Sequence, residues 1–166
     1  MTCRAVLWLV LSMSIAACST QRDQAADPVR EAVTPPVPSL DKSGTLYFYG
    51  LLQRPDFSLA FAAMPGTSQL PAWTRHDERS TPALKVEVAG RERWLAVACK
   101  PHDCPTERIL VLYDAQAHEM TGLFARRKAD AMDLSRNDPT SDELTWLGLP
   151  DDETKRFLHE RMYSAK

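Results

Sequence analysis

With 166 residues and 44% apolar composition, the chain has one domain's worth of sequence once its ends are set aside. Its formal charge of −2 comes without a basic stripe, which argues against a nucleic-acid binder. No apolar run is long enough for a permanent membrane-spanning helix.

The N-terminus reads as a targeting segment. Arg4 supplies a short positive start, and Ala5 to Ala17 form an apolar stretch that includes Leu7, Trp8, Leu9, Val10 and Leu11. Ile15-Ala16-Ala17-Cys18 then provides a small-residue cleavage site ending on a cysteine. This pattern resembles the lipobox of bacterial lipoproteins. The resemblance implies a signal peptide over residues 1–17 and a lipid on Cys18, which becomes the first mature residue. Ordinary cleavage near Ala17, with Cys18 incidental, is the alternative. Acyl chains would hold the protein on a membrane, since each buried CH₂ contributes about 0.8 kcal/mol. Ser19 stands where an aspartate would signal inner-membrane retention, so the expected location is the periplasmic side of the outer membrane. Residues 18–43 read as a lipidated tether, polar at Gln21-Arg22-Asp23-Gln24 and semi-rigid at Thr34-Pro35-Pro36-Val37-Pro38.

The folded domain is expected over residues 44–166. Leu46, Tyr49 and Leu52 fall at near-helical spacing, and Pro55 stops that helix. Asp56 reads as an N-cap for a second helix, with Phe57, Ala60, Phe61 and Met64 on one face and Pro65-Gly66 at its end. After Ser80-Thr81-Pro82 the apolar period changes to two. Leu84, Val86 and Val88 make one strand, Trp94 to Cys99 a second, Arg108 to Tyr113 a third and Glu119 to Ala125 a fourth, interrupted by Gly122. Arg126 to Asp142 reads as a long loop or one with a short helix, Glu143 to Leu147 as a fifth strand, and Asp151 to Tyr163 as a final helix. That helix has acidic residues at its positive end and a stripe of Phe157, Leu158, Arg161 and Met162. Short turns favour antiparallel pairing, so the expected class is α+β: a five-stranded antiparallel sheet flanked by helices.

The chain has four cysteines. Cys3 leaves with the signal peptide and Cys18 carries lipid. Cys99 and Cys104 remain, and in an oxidising compartment they read as one disulfide. The bond would close Lys100, Pro101, His102 and Asp103 into a tight, protruding surface loop with His102 at its tip, between a cation and an anion. So small a ring stabilises the fold by only about 2 kcal/mol in the chain-entropy model. Preorganisation is the larger effect, because a loop fixed in advance loses less entropy on docking. Asp103 is placed to hydrogen-bond the imidazole and fix its tautomer. A metal site at Cys99, His102 and Cys104, a redox dithiol and an inert structural hairpin are the other readings. The first fits no common zinc spacing, and the second has four intervening residues rather than two.

Cys99-Lys100-Pro101-His102-Asp103-Cys104 resembles the signature loop of the Ivy family, the inhibitors of vertebrate lysozyme. Other segments agree in order: Leu70-Pro71-Ala72-Trp73, Ser80-Thr81-Pro82-Ala83, Met120-Thr121-Gly122-Leu123-Phe124 and Leu144-Thr145-Trp146-Leu147. The likeness runs from about Thr45 to Leu149. It implies a five-stranded antiparallel sheet with flanking helices, and inhibition of c-type lysozyme by entry of His102 between the catalytic carboxyls. Family members are often soluble periplasmic proteins, so a lipid anchor is a departure. A mildly acidic inhibitor would be steered toward a basic lysozyme.

Other functions fit the same residues. One is control of the cell's own lytic transglycosylases, which cleave the same glycan with a carboxyl group. Another is a structural envelope lipoprotein with an inert loop. Nothing reads as a catalytic centre, so no enzyme activity, cofactor or metal is expected. Oligomeric state is open, a homodimer included. His76, His118 and His159 read as surface or structural histidines, Arg126-Arg127-Lys128 as a solvated strand end, and Trp73, Trp94 and Trp146 as core.

Overall fold

The structure, a computed structural model, describes residues 45–76, 79–131, 135 and 137–164. The expected signal segment, Cys18 and the tether lie outside the described residues. Helices come first: α1 (Phe48–Leu52), α2 (Pro55–Ala63) and α3 (Trp73–His76). Strands follow as β1 (Arg79–Ser80), β2 (Leu84–Val88), β3 (Arg91–Cys99), β4 (Glu107–Asp114), β5 (Glu119–Arg127) and β6 (Asp142–Leu147), and α4 (Asp152–Tyr163) ends the domain. The class is α+β, as the change of period after Pro82 implied.

All pairings are antiparallel. Strands β3, β4, β5 and β6 neighbour one another in chain order, and both β1 and β2 pair along β3. The short β1 adds a sixth strand to the expected five, opposite Cys99 and Ala98.

Alternation along the central strands sends successive side chains to opposite faces. Ala96, Ala98, Ile109, Val111, Tyr113 and Phe124 face α1 and α2, where they meet Phe48, Leu51, Phe57, Phe61 and Met64. Leu95, Leu110, Leu112, Leu123 and Ala125 face the other way, toward Leu158 and Met162 of α4. The sheet is therefore covered on both faces, which explains why β4 is apolar almost throughout.

Several local expectations change. The first helix is only five residues long and buries Phe48 and Leu51, leaving Tyr49 exposed. Phe48 stands edge-on to Phe57 and Phe61, with centroids 6.1 and 5.8 Å away, and that contact fixes the buried face. Asp56 is not the cap of α2. Arg54 occupies the N-cap position without a side-chain capping bond, Pro55 takes the first helical position, and Asp56 lies in the first turn, paired with Arg54 at 3.2 Å. Gly122 does not interrupt β5. A Cβ there would lie 2.7 Å from the Leu110 carbonyl oxygen, so glycine is what lets β4 and β5 approach. Arg127 is no solvated strand end: it is buried and its Nε bonds Asp142 at 3.3 Å. Within α4 the buried stripe is Thr154, Leu158 and Met162, with Asp151 capping the Thr154 N–H at 2.7 Å. Arg161, expected in that stripe, is exposed.

Among the described residues no helix is long and apolar enough to cross a membrane.

Candidate functional site: the disulfide-closed loop

Strand β3 ends on Cys99 and β4 begins at Glu107, so the loop joins two strands that pair directly, Cys99 standing opposite Arg108. Cys99 and Cys104 are disulfide-bonded with Cα atoms 4.8 Å apart. Inside the ring, Asp103 N–H donates to the Lys100 carbonyl at 3.1 Å. Pro101 occupies the second position of that turn and His102 the third, with His102 at φ +60°. Proline followed by positive φ is the type II pattern, whose third position ordinarily takes glycine or asparagine. A histidine held there is a local strain on the order of 1 kcal/mol. The backbone pays for it through the closed ring and the proline, whose φ is preset.

His102 is exposed, and its ring makes no hydrogen bond with a described residue. Asp103 does not orient it. The Asp103 carboxylate turns to the Lys100 ammonium at 3.0 Å. The Thr106 hydroxyl and Lys100 hold its carboxyl below the usual range. An ammonium of opposite charge beside it is the stronger attraction, and it leaves both imidazole nitrogens open.

The base of the loop is clamped. Lys100 N–H donates to the Glu107 carbonyl at 3.0 Å, and Arg127 N–H to the Thr106 carbonyl at 2.7 Å. The Glu107 carboxylate accepts from the Trp73 indole N–H at 2.6 Å and from Arg126 Nε at 2.9 Å. Arg126 in turn lies over Phe124, 5.4 Å from the ring centre. Nearby, Asp142 gathers Arg127, Arg108 and the Tyr163 hydroxyl, the last at 2.9 Å. Burial, followed by the bond to Asp142, pushes the Tyr163 phenol well above its ordinary range. This cluster ties the last turn of α4 to three strands just behind the loop.

Cys99, Lys100, Pro101, His102, Asp103 and Cys104 thus form one protrusion. Reading the sequence missed Glu107, Trp73 and Arg126 as its foundation. Trp73 and Glu107 are 34 positions apart, and nothing local marks them as partners. The other histidines lie elsewhere: His118 Nδ1 is 3.3 Å from the Tyr113 hydroxyl, and His159 packs on the Tyr163 ring at 5.0 Å. Among the described residues, no group of three His, Cys, Asp or Glu side chains is arranged to hold a metal ion.

Comparison with known proteins bears on the same segment. The family model described as "Inhibitor of vertebrate lysozyme (Ivy)" matches residues 56–160, which contain the loop and its clamp. Proteins named Inhibitor of vertebrate lysozyme from Escherichia coli K12 and O157:H7 are each 37% identical over 93 residues, covering 55% of this chain and 54% of theirs. The match thus spans about half the length of these relatives. A protein of the same name from Pseudomonas aeruginosa is 25% identical over 118 residues, covering 70% of this chain and 77% of that one. With its family model matched over well more than half its length, the chain belongs to the inhibitor of vertebrate lysozyme family.

Proposed function

We propose that this protein inhibits c-type lysozyme by lodging the Cys99–Cys104 loop in the glycan-binding cleft, with His102 between the two catalytic carboxyls. The observation that carries this reading is the presentation of His102: exposed, at φ +60°, without a hydrogen bond from its ring to any described residue, at the tip of a ring closed by a disulfide. Retaining glycosidases set two carboxyls about 5 Å apart, one protonated and one ionised. An imidazole between them can accept from the first and donate to the second through its two nitrogens. No bond is made or broken, so the action is occlusion rather than catalysis. We further propose that Cys18 is lipidated and holds the inhibitor on the periplasmic side of the outer membrane, where it meets incoming enzyme.

The test is a titration of c-type lysozyme hydrolysing peptidoglycan. Inhibition should saturate at one inhibitor per enzyme. Lysozyme activity unaffected by a molar excess of folded, oxidised protein would end the proposal. A parallel titration against purified lytic transglycosylases addresses the second target, and stronger inhibition there would reassign the physiological partner.

A further inference from the structure

Behind the loop, on the sheet face that α4 covers, a cleft of about 450 Å³ opens beside the last turn of that helix. This is the size range of small-ligand sites. Arg79, Arg108 and Arg161 line it, and no carboxylate does among the described residues. Val97, Leu110 and Met162 give it an apolar floor.

Four arginines outside the cleft are matched with acids: Arg54 with Asp56, Arg91 with Asp114, Arg126 with Glu107 and Arg127 with Asp142. Arg75 and Arg93 instead spend donors on uncharged oxygens of Thr67, Leu70 and Thr154. Arg108 is matched too, since it bonds Asp142 and the Met162 carbonyl. Arg79 and Arg161, by contrast, form no ion pair with a described residue. Arg161 only approaches the Phe157 ring, 6.0 Å from its centre. Two guanidinium forks that are ion-paired with no described residue therefore flank an apolar floor. A guanidinium matches a carboxylate through two parallel hydrogen bonds.

We infer that this cleft is a second binding site, for a short acidic peptide with two carboxylates and an apolar side chain between them. Each carboxylate pairs with one of Arg79 and Arg161, and the apolar group rests on Leu110 and Met162. Because Cys99, Cys104 and Pro105 are in its wall, an occupied cleft braces the loop from behind.

Calorimetric titration of the intact, oxidised protein with acetyl-Glu-Leu-Glu-amide tests this without any lysozyme present, so its failure leaves the inhibitory reading untouched. Acetyl-Gln-Leu-Gln-amide and inorganic phosphate are the comparison probes. The glutamyl peptide should bind and shift the backbone amide resonances of Val97, Leu110 and Met162. The glutaminyl peptide, and the Arg79→Gln/Arg161→Gln variant with the glutamyl peptide, should each bind at least about tenfold more weakly. Equal binding of both peptides, an unchanged affinity in the double variant, or shifts confined to other residues would overturn the site. Tighter binding of phosphate than of the glutamyl peptide would overturn its assignment to carboxylates.

Discussion

The two ends of β4 carry histidines in the same uncommon backbone conformation, and they use it differently. At one end His102 sits at φ +60°, and in the turn after Asp114 at the other end His118 sits at φ +54°. The far turn is tied inward. The Asp114 carboxylate accepts the N–H groups of Gln116 and Ala117 at 3.0 Å each and pairs with Arg91 at 3.1 Å, while His118 reaches the Tyr113 hydroxyl. Local hydrogen bonds therefore offset the strain, and the histidine serves the fold. Around His102 every stabilising contact belongs to its neighbours: the Cys99–Cys104 bond, Pro101, the Lys100–Asp103 pair and the Glu107 clamp. Strain that the fold supports without using the side chain points to a role outside the fold.

The largest expected difference between the two turns is in binding. His102→Ala should cost about 2–4 kcal/mol of affinity for c-type lysozyme, roughly 30- to 1000-fold, as truncation of a central desolvated contact commonly does. His118→Ala should leave affinity within about twofold. Circular dichroism and melting should find both variants folded. Equal affinity losses would erase the distinction between the turns.

Removing the disulfide by Cys99→Ser/Cys104→Ser should come next. Stability should fall by about 2 kcal/mol, the value expected for closing so small a ring. Inhibition should weaken by more than that loss of folded protein explains, because the loop must then be ordered at docking. Denaturant melts and lysozyme titrations on the same sample separate the two effects.

Acid should expose the far turn. Its Asp114 carboxyl is held below the ordinary value of 3.8, first by the Ala117 N–H, against the opposing effect of burial, and then by the Gln116 N–H and Arg91. A folded-state value below the unfolded one means that Asp114 stabilises fully above pH 3.8 and loses that contribution as pH falls through the lowered value. Melting temperature should therefore drop on acidification, and Asp114→Asn should flatten that limb. Asp103 is also held low, by Thr106 and Lys100, yet it is half-exposed and its pair is screened. Asp103→Asn should leave the acid limb unchanged in a melting series.

The smallest effect is a gain. His102→Gly relieves the positive-φ strain, offset in part by the greater freedom of glycine in the unfolded chain. Stability should be equal or up to about 1 kcal/mol higher, while inhibition is lost. A destabilised glycine variant would mean that the His102 side chain supports the fold after all.

Much of this was legible in the sequence where the signal is local. The two-residue period of Leu84 to Val88 located β2, and the buried runs around Cys99 located β3 and β4. Two cysteines five positions apart, bracketing Pro101, located the loop. Interactions across the sheet were not legible. Arg127 looked solvated because its partner, Asp142, is 15 positions away and meets it only through the β5–β6 pairing. The first helix is too short for spacing to define its buried face, so the Phe48 contacts with Phe57 and Phe61 settled it instead. Gly122 carries the same ambiguity: a glycine inside a strand signals either a break or a close approach, and only the neighbouring Leu110 carbonyl decides.

Occupancy of the enzyme cleft is the central claim, and competition tests it most directly. Lysozyme would be titrated with the intact protein in increasing concentrations of a chitin trisaccharide that fills the glycan subsites, with binding followed by calorimetry. The apparent Kd for the wild-type protein should rise linearly with free trisaccharide, as one plus the ratio of its concentration to its own Kd, with no plateau and no ternary complex. An apparent Kd that stays constant as the trisaccharide saturates the enzyme would place the protein outside the cleft and contradict insertion of His102.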